Sequence, residues 1–252
     1  DTYMSSILDS SVARPGVLLL AMNRPASHHA LNRELASALV LAVDKAEADE
    51  TIKAIVITGA GNKAFCAGQD MVEERDRDRD LGEKVSAYLA IDRFSDSPMP
   101  LIAAVNGYCF GGGAALACAC DIRLASDSAS FRFPGAEYGL VVGAAALPHI
   151  VGLAKAKEFI LTAKRIEAQE AKRCGLVNEV YPQEELLEQA LNMAEQIAAN
   201  SALAVRESKR IMDSATLNND ARHSENSINS VLRGSDEQSD RFEFATRKVT
   251  GR

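Results

Sequence analysis

The feature that most constrains the fold is the glycine run Gly111-Gly112-Gly113 and what flanks it. Before it, a strand pattern ends near Asn106. After it, Ala114-Ala115-Leu116-Ala117-Cys118-Ala119-Cys120 is uncharged and built of small apolar residues, which suits a helix buried on all sides. Such a helix needs packed layers around it. Its first N–H groups lack partners within the helix, glycine lets another group approach closely, and the N-terminal end of the helix is electropositive. This is a site for an anion or a developing oxyanion. Tight packing against a sheet is the competing explanation of the three glycines.

The surrounding pattern predicts those layers. Gly16 to Met22 reads as a buried strand stopped by Asn23-Arg24-Pro25, where proline removes a ladder donor. Leu35, Ala38, Leu39 and Ala42 then recur at helical spacing between Asn32 and Asp44. Ile52 to Thr58, Leu101 to Val105 and Asp121 to Ala125 read as further strands. Repeated β-α units around one core are therefore expected in the first half. After about residue 143 strand signals stop, and Ala154–Thr162, Ala168–Arg173, Glu184–Ala199 and Ala202–Asp213 read as helices. The fold class is α/β with a helical C-terminal region. The alternating charges of Glu73 to Asp80 read as a solvated helix or mobile loop.

A second glycine site lies at Ala64-Phe65-Cys66-Ala67-Gly68-Gln69-Asp70-Met71, where an apolar piece turns at Gly68 into a polar segment. An ordinary strand-to-helix turn, with Asp70 capping the helix, would look the same. The order of motifs adds to this. Asn23-Arg24-Pro25 with His29-Ala30-Leu31-Asn32, then Phe65 to Asp70, then Ala103-Ala104-Val105-Asn106-Gly107-Tyr108-Cys109-Phe110-Gly111-Gly112-Gly113, then Cys120-Asp121-Ile122-Arg123, resemble the successive motifs of the enoyl-CoA hydratase/isomerase (crotonase) superfamily. Ala168 to Asn178 resembles that family's segment before its C-terminal helices. The likeness runs over roughly residues 15 to 215 in one order.

The resemblance implies a crotonase-like spiral of β-β-α units over residues 1–195 and a helical trimerisation region over 196–252, assembled as homotrimers or pairs of trimers (homohexamers). It implies an acyl-CoA thioester substrate, with coenzyme A bound in a bent shape as part of the substrate and no separate cofactor. It implies an oxyanion hole made by the N–H groups of Gln69 and Gly112. Ala67, Gly68, Asp70 and Met71 would line the adenine and pantetheine path. A lyase or isomerase of fatty acid metabolism follows as the expected activity.

The pattern breaks at two positions. Hydratases of this family carry two glutamates that hold and activate water, suited to general acid-base work. The first falls where this chain has Ala115. The second follows the proline of Phe131-Arg132-Phe133-Pro134-Gly135-Ala136-Glu137-Tyr138-Gly139, and is here Gly135. Neither residue can transfer a proton. Glu137 is the nearest carboxylate in sequence, to be read either as a base reaching the site or as a surface glutamate. Tyr138 could donate a hydrogen bond. His28 and His29 read as capping or surface residues, His149 as a satisfied core histidine, and Cys66 as packing. A late basic residue of the family can reach coenzyme A phosphates, and Arg241, Arg247 and Lys248 flank Phe242 and Phe244 in a tail that departs from the usual pattern.

The net charge of −7 argues against a broad nucleic-acid surface, and no apolar run approaches the roughly 20 residues of a membrane span. Five cysteines without a CxxC pair, and no histidine in ligand spacing, predict reduced core thiols and no metal. The opening DTYMSSILDSS shows neither a basic start nor an apolar core of an export signal, so a cytoplasmic setting is expected. Hydration, isomerisation, decarboxylation and thioester hydrolysis all stay open, as does a non-catalytic acyl-CoA-binding role. A phosphate-binding module is disfavoured, because no Gly-Lys-Ser/Thr follows the glycines.

Overall fold

A computed structural model describes residues 3–5, 7–76, 86–216 and 219–250. The chain opens with β1 (Tyr3–Ser5), β2 (Leu8–Arg14) and β3 (Val17–Met22), then α1 (Arg33–Ala48). Three units follow in which two strands come in succession. They begin with β4 (Ala54–Gly59) and β5 (Ala64–Cys66), leading to α2 (Met71–Asp76) and α3 (Ser86–Ser95). Next come β6 (Leu101–Val105) and β7 (Tyr108–Phe110), leading to α4 (Gly112–Ala119). The last pair is β8 (Ile122–Ser126) and β9 (Ser130–Arg132), which leads to a short 3-10 turn at Gly135–Tyr138.

In each pair the first strand joins one sheet and the second joins another. The larger sheet has the order β1-β2-β3-β4-β6-β8-β11, where β11 is Glu179–Tyr181, and it is parallel from β3 onward. The smaller sheet has the order β10-β9-β7-β5, where β10 is Ile166–Glu167. Two sheets fed alternately by consecutive strands make the spiral of β-β-α units. The two late strands correct the expectation that strand signals end at residue 143. With two and three residues, they are too short to show an alternation.

Strand β4 shows why the layers hold. All six of its residues are buried. Because successive side chains point to opposite faces, Ala54 and Val56 pack toward one cluster, and Ile55 and Ile57 toward the other. The first cluster is covered by Leu186, Ala190, Leu191 and Ala194 of α8 (Leu186–Ala198). Helix α8 crosses the 195/196 position expected to end the core. The second cluster holds Leu35, Ala36, Leu39 and Val43 of α1, whose start is capped by Asn32, the Leu35 N–H donating to Asn32 Oδ1 at 3.0 Å.

Between β9 and α8 lie α5 (Leu147–Val151), α6 (Leu153–Thr162) and α7 (Ala168–Arg173). The chain ends in α9 (Ala202–Thr216), α10 (Asn219–Leu232) and α11 (Asp236–Thr250). These three return over their own core. Lys209 of α9 donates to the Met99 carbonyl and pairs with Asp121, both at 2.9 Å. Gln238 of α11 packs on Gly139, and the rings of Tyr138 and Phe242 lie 6.3 Å apart. No helix among the described residues is long and apolar enough to cross a membrane. Of the run Glu73 to Asp80, the part up to Asp76 lies in α2, and the rest is outside the described residues.

Candidate active site

Two main-chain nitrogens meet where α4 begins. The chain leaves β5 at Cys66 and turns at Gly68, whose φ is +107°, a conformation that favours glycine. The Leu31 N–H donates to the Gly68 carbonyl at 2.7 Å and the Asp70 N–H to the Leu31 carbonyl at 3.0 Å. These two bonds flank Gln69 and leave its own N–H out of the ladder. At α4, Gly111 has φ of +53° and donates to the Arg132 carbonyl, and Gly112 is the first residue of the helix. A helix cannot supply a partner for its own first N–H.

The glycines bring the two segments together, each for its own reason. A Cβ on Gly112 would stand 3.4 Å from the Gln69 nitrogen and 3.1 Å from Ala87 Cβ. One on Gly113 would stand 2.2 Å from the Cys66 carbonyl oxygen, so tight packing is also part of what the triplet does. The side chain of Gln69 is fixed as well, its Oε1 accepting from the Ala87 N–H at 2.8 Å.

These residues line a cavity of about 1520 Å3. Ala67, Gly68, Gln69, Asp70, Met71 and Gly112 are all on its wall. Asp70 is buried, pairs with Arg24 at 2.9 Å and accepts from the N–H groups of Val72 and Glu73 at the start of α2. Ala115 and Gly135 also face the cavity. Among the described residues, no group of three or more histidine, cysteine or acidic side chains could hold a metal ion.

Glu137 does not join them. It is exposed on the 3-10 turn, its carboxylate engages Arg132, and it is absent from the cavity wall, while its neighbour Tyr138 is on that wall. Two histidines differ from expectation. His149 is exposed and lines the cavity, because α5 is a single short turn that leaves its polar face open. His29 is buried: its Nδ1 accepts from the Arg24 N–H at 3.0 Å and its other ring nitrogen lies 3.0 Å from the Ala60 carbonyl. Burial pushes its pKa below the usual histidine value. Cys66 is fully buried, and desolvation pushes its thiol up to about 12, which leaves it unreactive.

Further polar groups on or beside the cavity come from α2, α3 and the C-terminal helices. Glu74 and Arg233 form a nearly buried pair at 2.9 Å. Asn229, 1% exposed, donates to Tyr88 Oη at 2.8 Å and exchanges two hydrogen bonds with the backbone of Val141. Glu225 accepts from the N–H groups of Gly143 and Ala145, each at 2.8 Å. Nothing in the sequence tied residues some 80 positions apart to one site. The only local hint is the helical spacing of four between Glu225 and Asn229.

The family model described as enoyl-CoA hydratase/isomerase matches residues 13–243. The short-chain-enoyl-CoA hydratase of Clostridium acetobutylicum is 36% identical over 202 residues, covering 78% of this chain and 77% of that one. An enoyl-CoA hydratase/isomerase structure from Pseudoalteromonas atlantica superposes with a TM-score of 0.86 at 30% identity, over 98% of each chain. A monofunctional enoyl CoA isomerase from M. smegmatis gives a TM-score of 0.73 at 30% identity, covering 84% of this chain and 94% of that one.

Proposed function

The chain belongs to the enoyl-CoA hydratase/isomerase family, and from that premise we propose that it binds an acyl-CoA thioester in this cavity and stabilises the thioester enolate with the N–H groups of Gln69 and Gly112. The observation that carries the reading is the convergence of these two nitrogens at the electropositive end of α4, on the wall of one cavity. When a proton leaves the carbon next to the thioester carbonyl, negative charge collects on the carbonyl oxygen. Donors already aimed at that oxygen lower the barrier, each by about 3 to 4 kcal/mol in comparable sites. Ala67, Gly68, Asp70 and Met71 would border the coenzyme A path, and coenzyme A enters as part of the substrate rather than as a resident cofactor.

The reaction is the open part of the proposal. Water addition by two carboxylates lacks its groups at Ala115 and Gly135, which supports isomerisation, a transformation that one proton carrier can perform. Decarboxylation and thioester hydrolysis are the alternatives on the same scaffold. Glu137 can be the base only with its Arg132 pair opened, and Glu137→Gln tests that role directly. Assembly as a homotrimer or pair of trimers is part of the same reading. The exposed apolar residues Leu203, Val231 and Phe244 of α9 to α11 support it.

The test is calorimetric titration with a short enoyl-CoA, followed by a turnover assay on the same preparation. Absence of saturable binding sinks the acyl-CoA reading. Binding without any turnover on enoyl, acyl or malonyl-type thioesters makes the chain a binding protein instead.

A further inference from the structure

We propose that Glu225, carried on the C-terminal helix α10, is the carboxyl that takes and returns the proton at the substrate's α carbon. The inference rests on the enolate reading above and goes beyond it by naming the proton carrier.

The backbone of this chain excludes a carboxylate at position 135. A Cβ there would stand 2.8 Å from the Leu140 carbonyl oxygen and 3.0 Å from both the nitrogen and Cγ2 of Val142. The turn at 140–142 fills the space a side chain would need. That same loop instead receives a carboxylate from outside: Gly143 and Ala145 direct their N–H groups at Glu225 Oε1 and Oε2. Each oxygen keeps a second lone pair for a proton.

Position and surroundings both suit the role. Glu225 lies on the wall of the cavity that holds Gln69 and Gly112. A run of hydrogen-bonded and helical neighbours connects Gln69 to Glu225. Gln69 Oε1 accepts from the Ala87 N–H, the next residue, Tyr88, accepts from Asn229, and Asn229 lies one turn of α10 beyond Glu225. Among the described residues no lysine, arginine or histidine forms an ion pair with Glu225, in contrast to Glu74, which is held by Arg233. Burial raises its pKa above the ordinary glutamate value, against the opposing pull of the loop N–H groups, so it binds a proton more readily than a solvated carboxylate.

The step balances. The Glu225 carboxylate takes the α proton, the C–H electron pair becomes the new carbon–carbon double bond, and the carbonyl π pair moves onto oxygen between the Gln69 and Gly112 N–H groups. Carboxylate and neutral thioester become carboxylic acid and enolate, with the charge unchanged. Reversal returns the proton to the same carbon, and delivery one double bond further along is isomerisation.

The experiment is α-hydrogen exchange of butyryl-CoA in D2O, followed by NMR, alongside calorimetric binding of the same thioester. Glu225→Gln is expected to slow exchange by about 100-fold or more while butyryl-CoA affinity stays within a few-fold. Asn229→Ala, which loosens the same loop but leaves the carboxyl, is expected to lose less than tenfold. Exchange retained within twofold in Glu225→Gln overturns the assignment, as does an equal loss in both variants, which would mean that Glu225 only holds the loop. If Glu225→Gln does not fold, Glu225→Asp substitutes for it: the shortened side chain should slow exchange at least tenfold, and full activity overturns the proposal. Wild-type protein that binds butyryl-CoA but exchanges nothing also overturns it, whereas wild-type protein that binds no thioester sinks the enolate reading itself.

Discussion

A Cβ on Gly68 would stand 3.1 Å from the nitrogen of Gly112 and 2.9 Å from the carbonyl oxygen of Phe110. Residue 68 can therefore have no side chain while β5 and α4 keep their approach. The approach is what sets the two free N–H groups side by side.

Gly68→Ala should accordingly be damaging twice. The residue has φ of +107°, where a side chain costs roughly 1 to 3 kcal/mol. Relief of the contact with Phe110 must move one N–H away from the other, and a displacement of about 1 Å can cost on the order of 100-fold in turnover. Thermal unfolding and steady-state kinetics on the variant check both. Turnover within threefold of wild type would mean that the paired nitrogens do not act.

Asp70 combines a cap for α2 with an ion pair to Arg24, whose side chain is 20% exposed. The two roles separate by substitution. Asp70→Asn keeps an oxygen for the Val72 and Glu73 N–H groups and should lose about 1 kcal/mol. Asp70→Ala loses the cap as well and should lose about 2 kcal/mol. Urea unfolding of both variants decides the matter, and equal losses would show that the cap adds nothing.

His29 sets a pH dependence whose sign follows from its geometry. With Nδ1 accepting from Arg24, the ring is neutral and its proton sits on the nitrogen facing Ala60. Its folded pKa is below the unfolded value of 6.5, so the unfolded chain takes up the proton first as pH falls. The stability contribution is complete above that unfolded value and is lost as pH falls from it through the lowered folded one. In His29→Asn, where asparagine tolerates the φ of +57°, this part of the pH dependence should vanish. Identical pH profiles for the two proteins would count against the assignment.

The apolar residues left outward on the last helices give a prediction about assembly. Leu203 and Phe244 are 73% and 74% exposed in the single chain. Light scattering should return a trimer or a multiple of it, and Leu203→Glu combined with Phe244→Lys should shift the mass toward the single chain. A wild-type protein that runs as a single chain would remove the reason for those side chains.

Legibility in the sequence followed the length of each element and how local its contacts are. Strands β3, β4 and β6 are visible because their residues are apolar on both faces, as central parallel strands must be. Strand β2 escaped because Asp9, Ser10 and Ser11 sit near the sheet edge, half-exposed or exposed. Strands β5, β7 and β9 have three residues each, too few for any period, and Ala64 to Cys66 read only as an apolar piece. The positions of Gln69 and Gly112 were readable from motifs. The cavity's second side was not, since Tyr88, Glu225 and Arg233 meet there only through the return of the C-terminal helices, and a polar helix has no sequence mark of what it will face. Glu137 was nearest in sequence, yet its carboxylate is engaged by Arg132, five residues earlier, and it is not on the cavity wall.

In the proposed reading the carbonyl-binding half of the site consists of main-chain donors, which side-chain truncation elsewhere does not remove. A scan that truncates side chains to alanine would pass over Gln69 and leave its N–H untouched. The proton-handling half proposed for it rests on a side chain, Glu225, which can be replaced on its own. Such a division would let the reaction be changed while thioester recognition stays fixed, by substitution at wall positions such as 115 and 225.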